Sequence, residues 1–393
     1  MKNSVMTIAT ASVLAACVTG CMMCKKGQAM NGKEASVVVK PFGKTKDGQL
    51  VHQYTLTGAG GVVMEVIDYG GKIVRLYTPD RTGKNMDITA GFNDVAGYET
   101  HDPYFGSLIG RFGNRIANGK FTLDGKTYTL PTNNVPNNIP CSLHGGAKGF
   151  DSVIWQVEPL TEDKTKTVGL KLSMTSPDGD QGYPGTLKVQ VTYWLTPDNV
   201  WRIEYQATTD KATPINLTQH LYFNFKGEAS GDILDHELTL FADKITPVDK
   251  GLIPTGKLAS VKGTPFDFTT PHVIGERINV KNEQLEFGGG YDHNWVLDNP
   301  NGKLVKAAAL FEKTTGRTME VWTTEPAIQF YCGNFMTDKM PSKTKGKNIC
   351  YRGGLALETQ HSPDSPNQPN FPSTILRPGA VYKTTTEYRF GSK

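Results

Sequence analysis

An apolar/polar alternation with a period of two runs through most of this chain, and it constrains the fold more than any other feature. Leu187, Val189, Val191, Tyr193 and Leu195 alternate with Lys188, Gln190, Thr192 and Trp194. Successive strand side chains point to opposite faces, so this pattern describes a sheet with one buried face. Thr196-Pro197-Asp198-Asn199 is a turn cluster, after which Trp201, Ile203, Tyr205 and Ala207 resume the alternation. The pair reads as a two-strand meander. Phe121-Thr122-Leu123 and Thr127-Tyr128-Thr129-Leu130 flank Asp124-Gly125. Asp-Gly supplies the positive φ angles of a tight hairpin. Residues 62–69, 73–77, 318–323, 328–331 and 381–390 also read as strands. Residues 306–313 would be helical on propensity alone, but their flanks are strand-like, so a strand is predicted there. Long helical patterns are nearly absent. No linker and no fixed-period repeat follows residue 40, so the simplest architecture is one all-β, large antiparallel sandwich.

Composition removes several alternatives. The 393 residues carry a formal net charge of +4, and no Lys/Arg run forms a stripe, which argues against a nucleic-acid partner. The 42 glycines and 23 prolines are dispersed, as many turns require. At the N-terminus, Lys2 precedes a short apolar and small-residue run from Met6 to Ala16, too short to span a bilayer. It ends in Leu14-Ala15-Ala16-Cys17, which resembles a lipobox. The predicted organisation is a lipoprotein signal peptide over 1–16, a small-residue tether over 17–35, and a single domain over 36–393. Lipidation at Cys17 would hold the protein in the cell envelope, periplasmic or at the outer membrane, with the lipid as its one membrane attachment. Cys21 and Cys24 form a C-x-x-C, but no second pair or histidine cluster completes a zinc site, so no metal is expected. Cys332 and Cys350 are candidates for pairing in an oxidising compartment.

Five segments look unlike sheet filler. Gly110-Arg111-Phe112-Gly113-Asn114-Arg115 leads through Asn118-Gly119 into the hairpin, and its arginines offer planar donor forks to hydroxyl groups. Leu143-His144-Gly145-Gly146 has paired glycines that would let a ligand approach the backbone beside a histidine. Asn216 to Phe225 sets His220 in an aromatic strand, where a histidine taken by itself is more often a core residue. Tyr291-Asp292-His293-Asn294-Trp295 adds an Asp-His pair. Leu355-Ala356-Leu357-Glu358-Thr359-Gln360-His361 puts a carboxylate at the end of an apolar run, where burial should raise its pKa.

Together these segments resemble one family, the aldose 1-epimerases or galactose mutarotases. The resemblance runs from about Gly61 to the C-terminus. It includes Gly110 to Phe121, Leu143 to Gly146, Gln219 to Asn224, Leu252-Ile253-Pro254-Thr255-Gly256, Phe266-Asp267-Phe268, Tyr291 to Asn294, Gln329-Phe330-Tyr331 with Gly333-Asn334-Phe335, and Leu357-Glu358-Thr359-Gln360. Pro363-Asp364, Asn367-Gln368-Pro369 and Phe371-Pro372 also fit. The resemblance implies a β-supersandwich with a free aldose in a cleft. It makes Glu358 the catalytic base and His220 the catalytic acid, with Asn114, Arg115, His144, Asp292 and Gln329 binding the sugar. The loop from Asn133 to Ser142 looks a few residues longer than is usual in the family, which detaches sugar preference from the resemblance. Gln219 stands where relatives often carry asparagine.

Changing an anomer requires taking the proton from the C1 hydroxyl and giving one to the ring oxygen. The ring opens, the C1–C2 bond rotates, and the ring recloses. No redox step or group transfer occurs, so neither a cofactor nor a metal is expected, only a monosaccharide partner for what reads as a monomer. An ionised Glu358 and a protonated His220 would serve. Two other readings stand beside this one. A glycoside hydrolase would use Glu358 and Asp292 as its carboxyl pair, and a non-catalytic sugar-binding lipoprotein would use the same fold without turnover.

Overall fold

The computed structural model describes Met1 and residues 34–101, 103–299 and 301–393. The expected signal peptide, Cys17 and nearly all of the expected tether lie outside these residues. From Glu34 onward the described chain packs as one compact unit, and its strands pair antiparallel throughout. A nine-stranded sheet takes the order Gln156–Glu162, Thr167–Ser176, Leu187–Leu195, Val200–Thr209, Tyr382–Ser392, Arg317–Thr323, Val305–Phe311, Glu237–Leu240, His272–Val273. A six-stranded sheet takes the order Tyr222–Phe223, Leu355–Gln360, Ala327–Tyr331, Asp292–Val296, Lys244–Thr246, Ala259–Ser260. The N-terminal segment from Ser36 to Asp87 adds a five-stranded sheet in sequence order.

The alternation is realised where it was legible. Leu187 and Leu195 bound a strand as read, and residues 306–313 fall largely in the strand Val305–Phe311. Asp124 and Gly125 take φ of 50° and 78° between paired strands Lys120–Leu123 and Lys126–Thr129. The described helices are short. The one at Glu283–Gly288 is bounded by chemistry the sequence carries: the Asn282 side chain accepts from Gln284 N–H, and Gly289 takes φ 63°.

The two large sheets meet through apolar faces. On the six-stranded sheet, Leu355, Leu357, Ile328, Phe330, Trp295 and Ile245 belong to the main core, together with Val189, Val191, Ile203, Val321 and Tyr388 of the nine-stranded sheet. Within this layer Tyr388 Oη donates to the Leu357 carbonyl at 2.9 Å, and the Thr359 and Thr386 hydroxyls meet at 2.6 Å. Gln219 also turns inward, donating to Tyr193 Oη at 2.9 Å, which separates it from the chemistry beside it. Cys332 and Cys350 are free thiols, Cys332 packed against the Tyr291 carbonyl and Asn334.

Trp201 is fully buried and stacks on Tyr388 at 4.7 Å between ring centroids. Trp201→Ala should therefore cost about 3–5 kcal/mol of stability in urea unfolding, because the surrounding sheets cannot collapse onto the void.

Candidate active site

The same alternation that buries one face of the six-stranded sheet builds a polar surface on the other. Residues opposite each other in an antiparallel pair share a face. Glu358 pairs with Gln329, Gln329 with Asn294, and Asn294 with Thr246, making one row across four strands. Two residues along, Tyr222 pairs with Ala356, Ala356 with Tyr331, and Tyr331 with Asp292. Ala356 is the small member of this second row, and the Tyr222 and Tyr331 rings flanking it meet edge to face at 5.9 Å. From these rows Glu358, Tyr222, Tyr331 and Asp292 line a cavity of about 380 Å³, together with Tyr104, Asn114, Arg115, His144 and His220.

His220 comes from a three-residue strand, Thr218–His220, paired with Ser107–Ile109. Its ring stacks between Tyr222 (4.9 Å) and Tyr104 (6.0 Å) and meets His144 edge-on at 5.1 Å. Its Nε2 lies 3.6 Å from Glu358 Oε1. Burial in this aromatic setting lowers the His220 pKa to about 3, with the Lys72 ammonium adding in the same direction. Burial and the Asp292 charge push Glu358 well above the usual carboxyl range, against the Arg115 charge. Desolvation thus works against the expected charge pattern, driving the pair toward a carboxylic acid beside a neutral imidazole. Both distributions hold one proton between the two groups, so the difference is where that proton sits.

His144 has a different role. The Asn114 N–H donates to its Nδ1 at 3.1 Å, so the neutral ring carries its hydrogen on Nε2. His144, His220 and Glu358 bring ligand atoms within 4.8 Å of one another. A metal on His144 Nε2 would need the hydrogen on Nδ1, against the Asn114 donor, so the trio suits a hydroxyl better than a cation. Both Asn114 (φ 64°) and His144 (φ 52°) hold left-handed backbone. Gly145 is required for packing: a Cβ there would come within 2.0 Å of the Gly110 carbonyl oxygen. Gly145 thus admits the neighbouring Gly110 backbone, and Gly146 the Gln181 side chain.

Of the two arginines in the Gly110–Arg115 stretch, only Arg115 faces the cavity. Its Nε donates to Asn134 Oδ1 at 3.2 Å and its Nη1 lies 3.6 Å from Asp292 Oδ2. Arg111 points away and is a buried brace, donating to the carbonyls of Pro184 and Gly185 and to Ser176 Oγ. Gln329 stands behind the cavity wall. Its Nε2 donates to Asp292 Oδ1 at 2.7 Å, so it orients Asp292. The Pro363-Asp364 tail holds the strand of Arg115: the Asp364 N–H donates to the Arg115 carbonyl, and Asp364 Oδ1 accepts from Ala117 N–H. Tyr104, Asn134, Tyr222 and Tyr331 also line the cavity and were missed, since no local pattern separates them from other loop or strand residues.

The buried carboxyl makes a stability prediction with a definite sign. Burial raises the Glu358 pKa in the fold above the ordinary 4.5 of the unfolded chain. The stability it contributes is present below that value and is lost as pH rises. Melting temperatures of the wild type and Glu358→Gln should diverge between about pH 5 and pH 8, the wild type falling behind as pH rises. A pH-independent difference would contradict the raised carboxyl.

Comparison with known proteins places the sequence among its relatives. The family model described as aldose 1-epimerase matches residues 52–389. Galactose mutarotase of Rattus norvegicus is 44% identical over 327 residues, 83% of this chain and 90% of its own length. Aldose 1-epimerase of Escherichia coli K12 is 39% identical over 347 residues, 88% of this chain and 96% of its own length. Among solved structures, galactose 1-epimerase from Lactobacillus acidophilus superposes with a TM-score of 0.78 at 26% identity, covering 91% of this chain and 99% of that one. On fold, cavity and sequence together, the chain belongs to the aldose 1-epimerase family.

Proposed function

We propose that this protein interconverts the α and β anomers of free aldoses, with Glu358 and His220 moving the protons. The observation that carries the reading is the buried pair itself: a carboxyl and an imidazole 3.6 Å apart on the floor of a cavity lined by hydroxyl-binding groups. In the ring-opening direction, the Glu358 carboxylate takes the proton of the C1 hydroxyl while the His220 imidazolium donates one to the ring oxygen. The C1–O5 bond breaks and an aldehyde forms at C1. Rotation about C1–C2 presents the other carbonyl face. Reclosure returns each proton to its source, so no net proton leaves the site.

The electrostatics fit this cycle. Ring opening leaves Glu358 protonated and His220 neutral, the distribution that burial favours. The protein therefore stabilises the pair in the state that accompanies the open-chain sugar. Arg115, Asp292, Asn114 and His144 hold the remaining hydroxyls, so that rotation is confined to C1. The hydrolase reading needs Asp292 as a second catalytic carboxyl. Asp292 instead accepts from Gln329 and faces Arg115, which suits an orienting ligand.

Polarimetry of freshly dissolved α-glucose and α-galactose tests the activity. The wild type should accelerate the approach to the equilibrium rotation and release no reducing ends from oligosaccharides. Glu358→Gln should keep sugar binding and lose turnover by about 10²–10⁴-fold, and His220→Asn should slow the reaction and change its pH profile. Near-normal rates in Glu358→Gln would remove the role assigned to it.

The cell-envelope reading is carried by Leu14-Ala15-Ala16-Cys17. Cys17→Ser should move the expressed protein from the membrane fraction to the soluble fraction. Unchanged fractionation would argue against lipidation.

A further inference from the structure

Three distant segments supply the core of the site: Asn114 and Arg115 follow Gly113, His220 ends the strand Thr218–His220, and Glu358 stands in the strand Leu355–Gln360. Asn216 lies where these segments meet. It is fully buried and shortly precedes His220. Its backbone N–H donates to the Arg111 carbonyl at 3.1 Å, and its carbonyl accepts from Gly113 N–H at 2.7 Å. Its side chain reaches further. Nδ2 donates to the Gly113 and His361 carbonyls, each at 3.1 Å, and Oδ1 accepts from His361 N–H at 2.9 Å. Gly113 directly precedes Asn114, and His361 directly follows the strand of Glu358. The His361 side chain is held as well. Its Nδ1 lies 2.7 Å from Glu325 Oε2, Tyr382 Oη donates to Glu325 Oε1 at 3.0 Å, and Leu217 N–H donates to Tyr382 Oη at 3.4 Å. These bonds close a ring from Asn216 through His361, Glu325 and Tyr382 back to Leu217.

Local turn chemistry does not account for this side chain. Its partners are 103 and 145 residues away in the chain, and both amide hydrogens and the amide oxygen are engaged. Aspartate has the same shape but, when ionised, only accepts, and leucine does neither. The backbone bonds already join Asn216 to the turn before Arg115, so what the amide adds is the third segment, the one that carries Glu358. We propose that Asn216 is a positioning residue for anomer exchange. Its amide fixes the spacing between the proton-moving pair, Glu358 and His220, and the Asn114–Arg115 turn that holds sugar hydroxyls. Catalysis through orientation is sensitive to such a spacing, since a displacement of about 1 Å can cost about 10²-fold in rate. The inference rests on the anomer-exchange reading, which gives the two halves of the site their roles.

The test measures kcat and KM for glucose and galactose by polarimetry in Asn216→Ala and Asn216→Asp, normalised to the folded fraction by near-ultraviolet circular dichroism. In Asn216→Ala the Gly113 and His361 groups lose their shared partner, so kcat per folded molecule should fall by about 10–100-fold, with a rise in KM. A purely structural role would lower the folded fraction and leave both constants of the folded molecules unchanged, and that result overturns the proposal. In Asn216→Asp the carboxylate can only accept, whereas the protonated acid donates one hydrogen. Its kcat relative to wild type should therefore recover as pH falls from about 8 to about 5. Dividing by the wild type at each pH removes the ionisable groups that both proteins share, Glu358, His220, His361, Glu325 and Tyr382. A ratio that stays at the Asn216→Ala level at every pH would overturn the donor role, and this variant carries the test alone if Asn216→Ala does not fold. Absence of acceleration by the wild type would instead overturn the anomer-exchange reading, so the two failures are distinguishable.

Discussion

The register of three strands, Leu355–Gln360, Ala327–Tyr331 and Asp292–Val296, is the constraint on which the site depends. Their pairing aligns Glu358 with Gln329 and Asn294, and Tyr331 with Asp292 and Ala356. Side chains alternate across a sheet, so a slip of one residue would turn Glu358 and Asp292 into the core and Leu357 and Phe330 into the cavity. The large apolar residues on the opposite face make that slip costly, because the same strands close the main core. Packing thus specifies the catalytic geometry: the sandwich cannot be assembled correctly without presenting these polar rows on its other side.

Burial of that surface creates the electrostatics. Glu358 and His220 are both withdrawn from water, and each is driven toward its neutral form. The neighbouring charges are partnered among themselves. Arg115 sits between Asn134 and Asp292, and Asp292 also accepts from Gln329. The cavity therefore combines a neutral proton-exchanging pair with an ion-paired, hydrogen-bonded wall. A sugar brings to this setting hydroxyl groups that accept and donate, and these can shift the one shared proton without a solvent-exposed charge.

The loop from Asn133 to Ser142 shows how a local segment becomes part of the site. The Asn133 side chain fastens it to Leu143, Asn134 supports Arg115, and Val135 with Pro136 reaches the cavity mouth. One segment thus touches the hydroxyl-binding wall and the rim. A change in its length alters the outer cavity without disturbing the floor, which belongs to the sheet.

The sequence by itself determined the all-β class, most strand positions and the Asp124-Gly125 hairpin, and it singled out Glu358 and His220, because alternation, turn chemistry and motif order are local and survive as text. It also raised the expectation of a pKa above the ordinary value at Glu358, from a carboxylate placed at the end of an apolar run, and burial in the fold gives that direction. Only the tertiary structure decided which of Arg111 and Arg115 reaches the cavity, that Gln329 orients Asp292, that Gly145 accommodates backbone, and that burial pushes His220 toward its neutral form. The reason is common to all four. Each depends on which distant segment supplies the partner: Pro184 for Arg111, Asp292 for Gln329, Gly110 for Gly145, Tyr104 and Tyr222 for His220. A partner from elsewhere in the chain leaves no periodicity in the residues it touches.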